Sequence, residues 1–356
     1  MGKVLVTVLD WGLGHASRSS RIIRELKNLG HDVILASSGS ALEFLKIEFP
    51  QARIFSLPSY RIRYAKHQTL NLIWLFLRLP HFFRVIHREH LETEELLRLE
   101  KVDWIISDNR YGCYSGKVPS VFLGHQLTVP LTGWYAFFQP IINYLHVRQI
   151  KKFSVVWVPD DPTFSVAGKM GYVPGISPIH IGFLSRLSAP SRTTEHPFFI
   201  TVIISGPEPA REKFSMQMER ILLQFDEPCM LIRGVPSDPL PSVKKKNLTI
   251  CHFLSTADLN EVILNSKYII SRSGYSSIMD FIATQSRVLF VPTPGQPEQE
   301  FLAKHLHDQF ASVYLEQSDL SPSAIRSALT QVKPLGIKST GNLLQEAFRS
   351  ITFAAN

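Results

Sequence analysis

A histidine placed behind two glycines, in Asp10-Trp-Gly-Leu-Gly-His15, follows the apolar run Lys3–Leu9 and precedes a helix-spaced segment, Ser17–Leu29. Gly12 and Gly14 permit the sharp turn that brings a helix N-terminus close to a ligand. A neutral imidazole at that point could take a proton from a hydroxyl; a structural turn histidine is the competing reading. A second chemistry-bearing stretch is IISRSGYSSIMDFIATQSRVLFVPTPGQPEQE, residues 269–300. There an apolar strand, 268–271, runs into Ser273-Gly274 and a helix over 275–284. Such a junction is an anion site, because backbone N–H groups and the helix dipole both face the loop. Asp280 lies within that helix, and Gln299-Glu300 close the Pro-rich loop that follows. Phosphate donors, a carboxylate for hydroxyls and a polar pair beyond them suit a nucleotide diphosphate sugar; an ordinary β–α–β unit is the plainer alternative.

The elements that must position these residues alternate. Strands are expected at 3–9, 32–37, 53–56, 103–107, 119–123 and 154–158, with helices at 17–29, 40–48, 69–78, 81–99 and 134–150. Alternation of this kind implies a parallel sheet covered by helices. After a short strand near 179–183, residues 184–197 are polar with two prolines and read as a linker. A second α/β series opens at 198–204 and continues through helix 211–224, strands 228–232 and 248–251, helix 258–265, strand 268–271, helix 275–284, strand 287–291 and helix 297–308. The expected fold class is α/β, with two Rossmann-like, doubly wound domains facing across a cleft: residues 1–183, linker 184–197, and residues 198–340. Residues 341–356 read as a C-terminal helix packing back on the first domain. The first glycine loop is not a dinucleotide fingerprint. Ser17 stands at the third glycine position, and strand 33–37 ends in Ser37-Ser38-Gly39 with no acidic residue for a ribose, which disfavours a nicotinamide enzyme.

A length of 356 residues suggests two cores rather than one. With 45% hydrophobic and 19% charged residues the chain is globular. Cys113, Cys229 and Cys251 are too few and too widely spaced for a disulfide framework or a metal cluster, which fits a reducing, cytoplasmic setting. The start, MGKVLVTVLDWG, reads as a first strand rather than a secretion signal. The net charge of +8 invites an anionic partner. Nucleic acid is disfavoured, because no zinc-finger spacing, RNP motif or long basic helix is present. A membrane surface fits better: residues 70–90, LNLIWLFLRLPHFFRVIHREH, mix aromatic and aliphatic residues with Arg78, Arg84 and Arg88, and Pro80 interrupts them. The stretch from Gly133 to Tyr144 is similar and ends in Arg148, Lys151 and Lys152. Buried core helices with basic ends remain the competing reading for both.

The SRSG turn, an acidic residue six positions after Gly274 and the PxPxxxxQ loop resemble the nucleotide-binding half of GT-B glycosyltransferases. The resemblance is to the bacterial N-acetylglucosaminyltransferase of peptidoglycan synthesis, a family 28 type, and more distantly to UDP-glycosyltransferases; its motifs lie in 10–18 and 252–303. It implies a UDP-sugar as donor substrate, no cofactor, and Ser273 and Gly274 on the diphosphate. Asp280 would hold the ribose hydroxyls, Phe253 and Leu254 the uracil, and Gln299 the donor sugar. The second residue of that glutamine pair is Glu300 here, and a carboxylate can only accept hydrogen bonds. Ser205-Gly206 matches a further glycine turn near the diphosphate, although Pro207 and Pro209 have no N–H to donate. Arg233 stands where such enzymes contact the nucleotide; a surface salt bridge is the alternative. On the acceptor side His15 matches the His of the first glycine loop, and Asp108 resembles the Asp that pairs with it in UDP-glycosyltransferases but is absent from the peptidoglycan enzyme; Gly12, Gly14 and His125, at the end of another strand, are the residues expected to line the acceptor site. No spaced acidic metal motif is evident, since Asp160-Asp161 are adjacent and Pro162 follows. The expected activity is an inverting, metal-independent transfer from a UDP-sugar to an acceptor hydroxyl, a sugar or a lipid-linked one, by an enzyme peripheral to the inner membrane face. A UDP-sugar 2-epimerase of the same architecture and a non-catalytic nucleotide-sugar-binding module stand as alternatives.

Overall fold

The computed structural model describes residues 2–60, 68–129, 133–188, 196–206, 208–235, 241–338 and 341–354, without the side chains of 68–79, 133–135 and 352–354. The chain divides into two compact units, Met1–Leu184 with Ser339–Asn356, and Ser185–Lys338.

Unit 1 begins with β1 (Lys3–Val8), α1 (Gly14–Asn28), β2 (Asp32–Ser37), α2 (Gly39–Glu48) and β3 (Arg53–Ser56). The long α3 (Gln68–Glu100) leads to β4 (Trp104–Asp108), β5 (Ser120–Leu123), α4 (Gln139–Ile150), β6 (Val155–Val158) and β7 (Ile179–His180). The strands form one parallel sheet in the order β3-β2-β1-β4-β5-β6-β7. In β1 and β4 nearly every residue is buried, which is why both read as unbroken apolar runs rather than alternating ones.

Unit 2 contains β8 (Phe198–Ile203), α5 (Ala210–Leu222), β9 (Cys229–Ile232), β10 (Val243–Lys245), β11 (Leu248–Cys251), α6 (Thr256–Leu264), β12 (Ser266–Ser271), α7 (Tyr275–Thr284), β13 (Val288–Phe290), α8 (Pro297–Phe310), β14 (Val313–Tyr314) and α9 (Pro322–Leu329). Its sheet runs β10-β11-β9-β8-β12-β13-β14, parallel except for the antiparallel edge pair β10/β11. Ile200, Val202, Phe214, Met218, Leu231, Ile270 and Leu289 form its core against α5 and α9. The last helix, α10 (Leu343–Ala354), lies in unit 1, where the ring of Phe348 meets Trp104 and Trp157 edge-on.

β14 and α9 were not among the expected elements, and three others differ from expectation. α1 starts at Gly14 rather than Ser17, because Gly12 (φ +75°) completes the turn early; His15 therefore sits in the first helical turn. α3 passes through Pro80 instead of breaking there. Proline removes one helical hydrogen bond, but Val85, Ile86, Glu89, Thr93, Leu96 and Leu97 bury a continuous stripe beyond it. The strand β10, fully exposed and bearing Lys244 and Lys245, was not expected: it exists only by pairing with β11.

Candidate active site

Among the parallel strands of each sheet the chain order reverses once, between β1 and β4 in unit 1 and between β8 and β12 in unit 2. Ligands of open α/β sheets bind beyond the carboxyl ends of strands at such switch points. The loops that leave these ends carry Gly12, Gly14 and His15 after β1, Asp108 at the tip of β4, Ser205-Gly206 after β8, and Ser273-Gly274 after β12.

In unit 1 the register pairs Val8 with Asp108, so the carboxylate arrives beside the start of the glycine loop. His15 Nδ1 lies 2.8 Å from Asp108 Oδ1. Arg18, one helical turn after His15, donates from Nε to Asp108 Oδ2 at 2.8 Å and from Nη2 to Oδ1. Ser19 Oγ donates to Oδ2 at 2.8 Å, and Arg18 Nη1 reaches His125 Nδ1 at 2.8 Å. Asp108 and Arg18 are buried, whereas the His15 side chain keeps 12% of its surface exposed. Burial alone would raise the Asp108 carboxyl, but Arg18 and His15 more than offset it and hold Asp108 well below the usual carboxylate range. His15 is lowered, first by burial and further by Arg18 and His125, with Asp108 opposing. The imidazole is thus neutral at pH 7, next to an ionised carboxylate, which is the condition for a general base.

Beyond Asp108 the chain turns through Asn109, in the left-handed region at φ +55°, and delivers Arg110 to a second buried network. Arg110 donates to the carbonyls of Val8 and Pro58 and pairs with Glu89 at 2.7 Å. Tyr60 and the Gly112 N–H also donate to Glu89. This network ties α3 to the ends of β1 and β4 and keeps the His15 loop in place.

In unit 2, Gly274 precedes the first residue of α7 with ordinary extended angles (φ −76°, ψ 139°), and no side chain caps the helix. A Cβ built on Gly274 meets only Ser277 Oγ, at 4.0 Å. Among the described residues, neither backbone strain nor crowding therefore calls for glycine there. Gly206 (φ +106°) likewise has nothing within 4 Å of an added Cβ. By contrast Gly234 (φ +66°) would place a Cβ 2.6 Å from the Ile204 carbonyl, so its glycine is structural. Arg272, two residues before Gly274, is buried; it donates to the Val291 and Pro292 carbonyls and to Gln317, and stacks on Phe214 at 3.7 Å. Burial pushes the guanidinium down to about 9, and among the described residues no carboxylate pairs with it. Arg272 is thus a buried positive charge two residues before Gly274 in the chain, held by carbonyls and Gln317.

The remaining residues singled out by sequence fall as follows. Ser273 is buried and its hydroxyl donates to the Gln299 carbonyl at 2.7 Å, so the side chain braces the loop. Asp280 is buried and accepts from Ser185 Oγ at 2.6 Å. Burial raises its carboxyl, with Arg186 and Ser185 opposing. Gln299 Oε1 accepts from the Thr293 N–H at 2.8 Å and Glu300 Oε1 from the Gly295 N–H at 2.6 Å. A carboxylate at 300 suits a position whose task is to accept from a backbone amide. Phe253 and Leu254 follow β11 and are half-buried. Arg233 bonds Glu219 at 2.9 Å, the surface ion pair that was its alternative. Asp160 accepts from Ser165, Val166 and Ala167 of its own loop. Among the described residues no group of three His, Cys, Asp or Glu could hold a metal ion. Sequence reasoning missed Arg18, Ser19 and Arg272. Arg18 did leave a signal: it shares a helix face with His15 and Ile22, a charged residue on an otherwise apolar stripe.

Residues 233–336 match the glycosyltransferase family 28 C-terminal domain. An uncharacterized glycosyltransferase of Methanopyrus kandleri is 23% identical over 319 residues, 86% of this chain and 90% of that protein. A UDP-N-acetylglucosamine–N-acetylmuramyl-(pentapeptide) pyrophosphoryl-undecaprenol N-acetylglucosamine transferase of a Sulfurihydrogenibium species is 24% identical over 149 residues, 41% of this chain and 42% of that one. Among solved structures, MurG of Acinetobacter baumannii superposes with a TM-score of 0.59 at 15% identity, covering 99% of this chain and 100% of that one.

Proposed function

We propose that this protein, which is a glycosyltransferase of GT-B architecture resembling MurG, moves a sugar from a UDP-sugar to an acceptor hydroxyl carried on a membrane lipid, with inversion. The observation that carries the reading is the 2.8 Å His15–Asp108 contact at the switch point of unit 1. As the acceptor oxygen attacks the anomeric carbon, His15 Nε2 takes its proton, and Asp108 stabilises the imidazolium through Nδ1. The bond from the anomeric carbon to the phosphate oxygen breaks on the opposite face, and UDP leaves with the electron pair. One displacement at one carbon inverts its configuration.

In unit 2 the N-terminus of α7 at Gly274 and the Arg272 charge would take up the negative charge of the departing diphosphate without a metal. Asp280 would hold the ribose hydroxyls, Phe253 and Leu254 the uracil, and Gln299 Nε2 the donor sugar. Gly206 leaves room for the phosphates. Gly12, Gly14 and His125 would border the acceptor. Choice of a uridine donor and a lipid-linked acceptor follows the relative from Sulfurihydrogenibium, whose name contains both.

A lipid-borne acceptor calls for contact with a bilayer, and a ridge on unit 1 supports it. Phe137, Ile141 and Tyr144 are exposed at one-turn spacing (Phe137 by 82%), and exposed Arg148 and Lys151 extend the same face. Aromatic and aliphatic tips with basic residues at one end suit the headgroup region of an anionic leaflet. No helix among the described residues is long and apolar enough to cross a membrane. Side chains of 70–79 lie outside the described residues. The test is a donor screen on purified protein that scores UDP release with and without membrane lipid extract. UDP release that needs both a UDP-sugar and lipid, and is lost in His15→Ala with UDP affinity unchanged within a few-fold, is expected. Turnover unchanged in His15→Ala would remove the base.

A further inference from the structure

We propose that Arg18 is a positioning residue of this site: its buried guanidinium clamps Asp108 so that Oδ1 receives the Nδ1–H of His15, which leaves Nε2 of His15 as the proton acceptor. The inference rests on the proposed base role of His15 and adds to it a residue that a bare His–Asp pair does not have. Asp108 receives four donors. Oδ2 takes Arg18 Nε and Ser19 Oγ, each at 2.8 Å, and Oδ1 takes Arg18 Nη2 and His15. A carboxylate so held cannot rotate, and its orientation toward His15 is set by the two-point grip of a planar guanidinium rather than by His15 itself.

The tautomer follows from the same atoms. Arg18 Nη2, His15 Nδ1 and Asp108 Oδ1 form a closed triangle, with Nδ1 2.9 Å from Nη2 and 2.8 Å from Oδ1. With Nδ1 bare, two lone pairs would face each other across the 2.8 Å edge. With a hydrogen on Nδ1, that edge is a hydrogen bond to an anion, and the guanidinium keeps its own bond to the same oxygen. On its far side Arg18 donates from Nη1 to His125 Nδ1 at 2.8 Å. Arginine only donates, so the His125 ring proton resides on Nε2. Asp108, held by Arg18, thereby assigns Nδ1–H to His15, and Arg18 itself assigns Nε2–H to His125.

Charge is the second consequence. The groups facing His15 are Asp108 from β4, Arg18 from its own helix and His125 from the segment after β5. An unpaired buried carboxylate beside His15 would draw a proton onto the ring and disable the base. Burial of the ring acts first to keep it neutral, and Arg18 adds to it by opposing the Asp108 field.

The test uses the full-length protein labelled with 15N-histidine, with His15 assigned from a His15→Gln variant. Wild type is expected to show the Nδ1–H tautomer at His15 and the Nε2–H tautomer at His125. Arg18→Met should raise the His15 midpoint by about 1 pH unit or more, the size of effect expected when a charge within 4–6 Å is removed. Arg18→Lys keeps the charge but not the fork; it should keep a low midpoint and lose the single tautomer. A wild-type His15 protonated on Nε2 overturns the proposal, and so does a folded Arg18→Met protein with an unmoved midpoint. If Arg18→Met does not fold, the wild-type tautomers and the lysine variant decide. Where transfer is measurable, the acid limb of kcat/KM should move up with the midpoint. Absence of His15-dependent transfer with every donor would sink the functional reading, while the NMR readings would still decide the part played by Arg18.

Discussion

Replacing Gly274 by alanine separates a ligand's need for glycine from the fold's need for it. At φ −76° the residue adopts angles any amino acid accepts, and the new methyl group would meet only Ser277 Oγ, at 4.0 Å. Two opposing terms act on stability. Alanine removes unfolded-state freedom, worth about 0.4–1 kcal/mol, while alanine is a poorer N-cap than glycine by roughly 0.5–1 kcal/mol. They nearly cancel, so Tm should stay within about 4 °C of wild type. If a diphosphate seats against the α7 end, the methyl group occupies the space the phosphate oxygens need and screens the backbone donors. Losing one charge-assisted contact costs about 1.5–3 kcal/mol, which is more than a tenfold rise in the Kd for UDP. Gly234→Ala is the control: its Cβ would lie 2.6 Å from the Ile204 carbonyl at φ +66°, and the strain should lower Tm whatever happens to UDP. Calorimetric titration with UDP and thermal unfolding of both variants provide the readings. A Gly274→Ala protein that binds UDP with wild-type affinity would show that no phosphate approaches this turn.

Asp280→Asn is expected to act in opposite directions on stability and binding. The Asp280 carboxyl is raised by burial, so its ionised form costs stability; this cost is absent below the unfolded pKa and sets in as pH rises through the folded one. At pH 7 the amide should raise Tm, with the gain fading on acidification, while UDP affinity falls by about 1–3 kcal/mol for a lost charged hydrogen bond; unchanged affinity would refute the ribose role. For the exposed ridge, the triple variant Phe137→Ser, Ile141→Ser and Tyr144→Ser should lose at least about tenfold in binding to vesicles of anionic phospholipid, since each apolar tip contributes on the order of 1 kcal/mol even when partly inserted. Wild-type binding should also weaken as salt screens Arg148 and Lys151. Equal cosedimentation of variant and wild type would dismiss the ridge as the contact surface.

What the sequence disclosed and what it hid divide along a physical line. His15 and Asp108 were legible because one lies just past and the other at the end of a strand buried on both faces, and unbroken apolar runs announce such strands without knowledge of their neighbours. That β1 lies beside β4 was not legible from the runs themselves, and the 2.8 Å contact depends on it. Arg18 stayed hidden for the opposite reason. A charge on the apolar face of α1 looks like an error of patterning until the partner strand supplies a carboxylate. Burial is then not a penalty to be explained away, because removing either partner would leave the other charge unpaired. The polar pair Gln299-Glu300 shows the converse. Residue type suggested groups held out to a sugar, and the structure adds what it did not suggest: Gln299 Oε1 and Glu300 Oε1 accept from the Thr293 and Gly295 amides. A tight Pro-rich loop has backbone donors that a sheet does not satisfy, and the nearest acceptors are taken first. α3 continues past Pro80 for a related reason. The local cost of a proline, about 3 kcal/mol, is an intrinsic property readable in sequence, whereas the stripe from Val85 to Leu97 that outweighs it acquires its value only against the rest of unit 1. Chemistry that depends on one residue's place in its own element is therefore recoverable from the chain alone. Chemistry that depends on which elements become neighbours, as with Arg18 between Asp108 and His125, requires the fold.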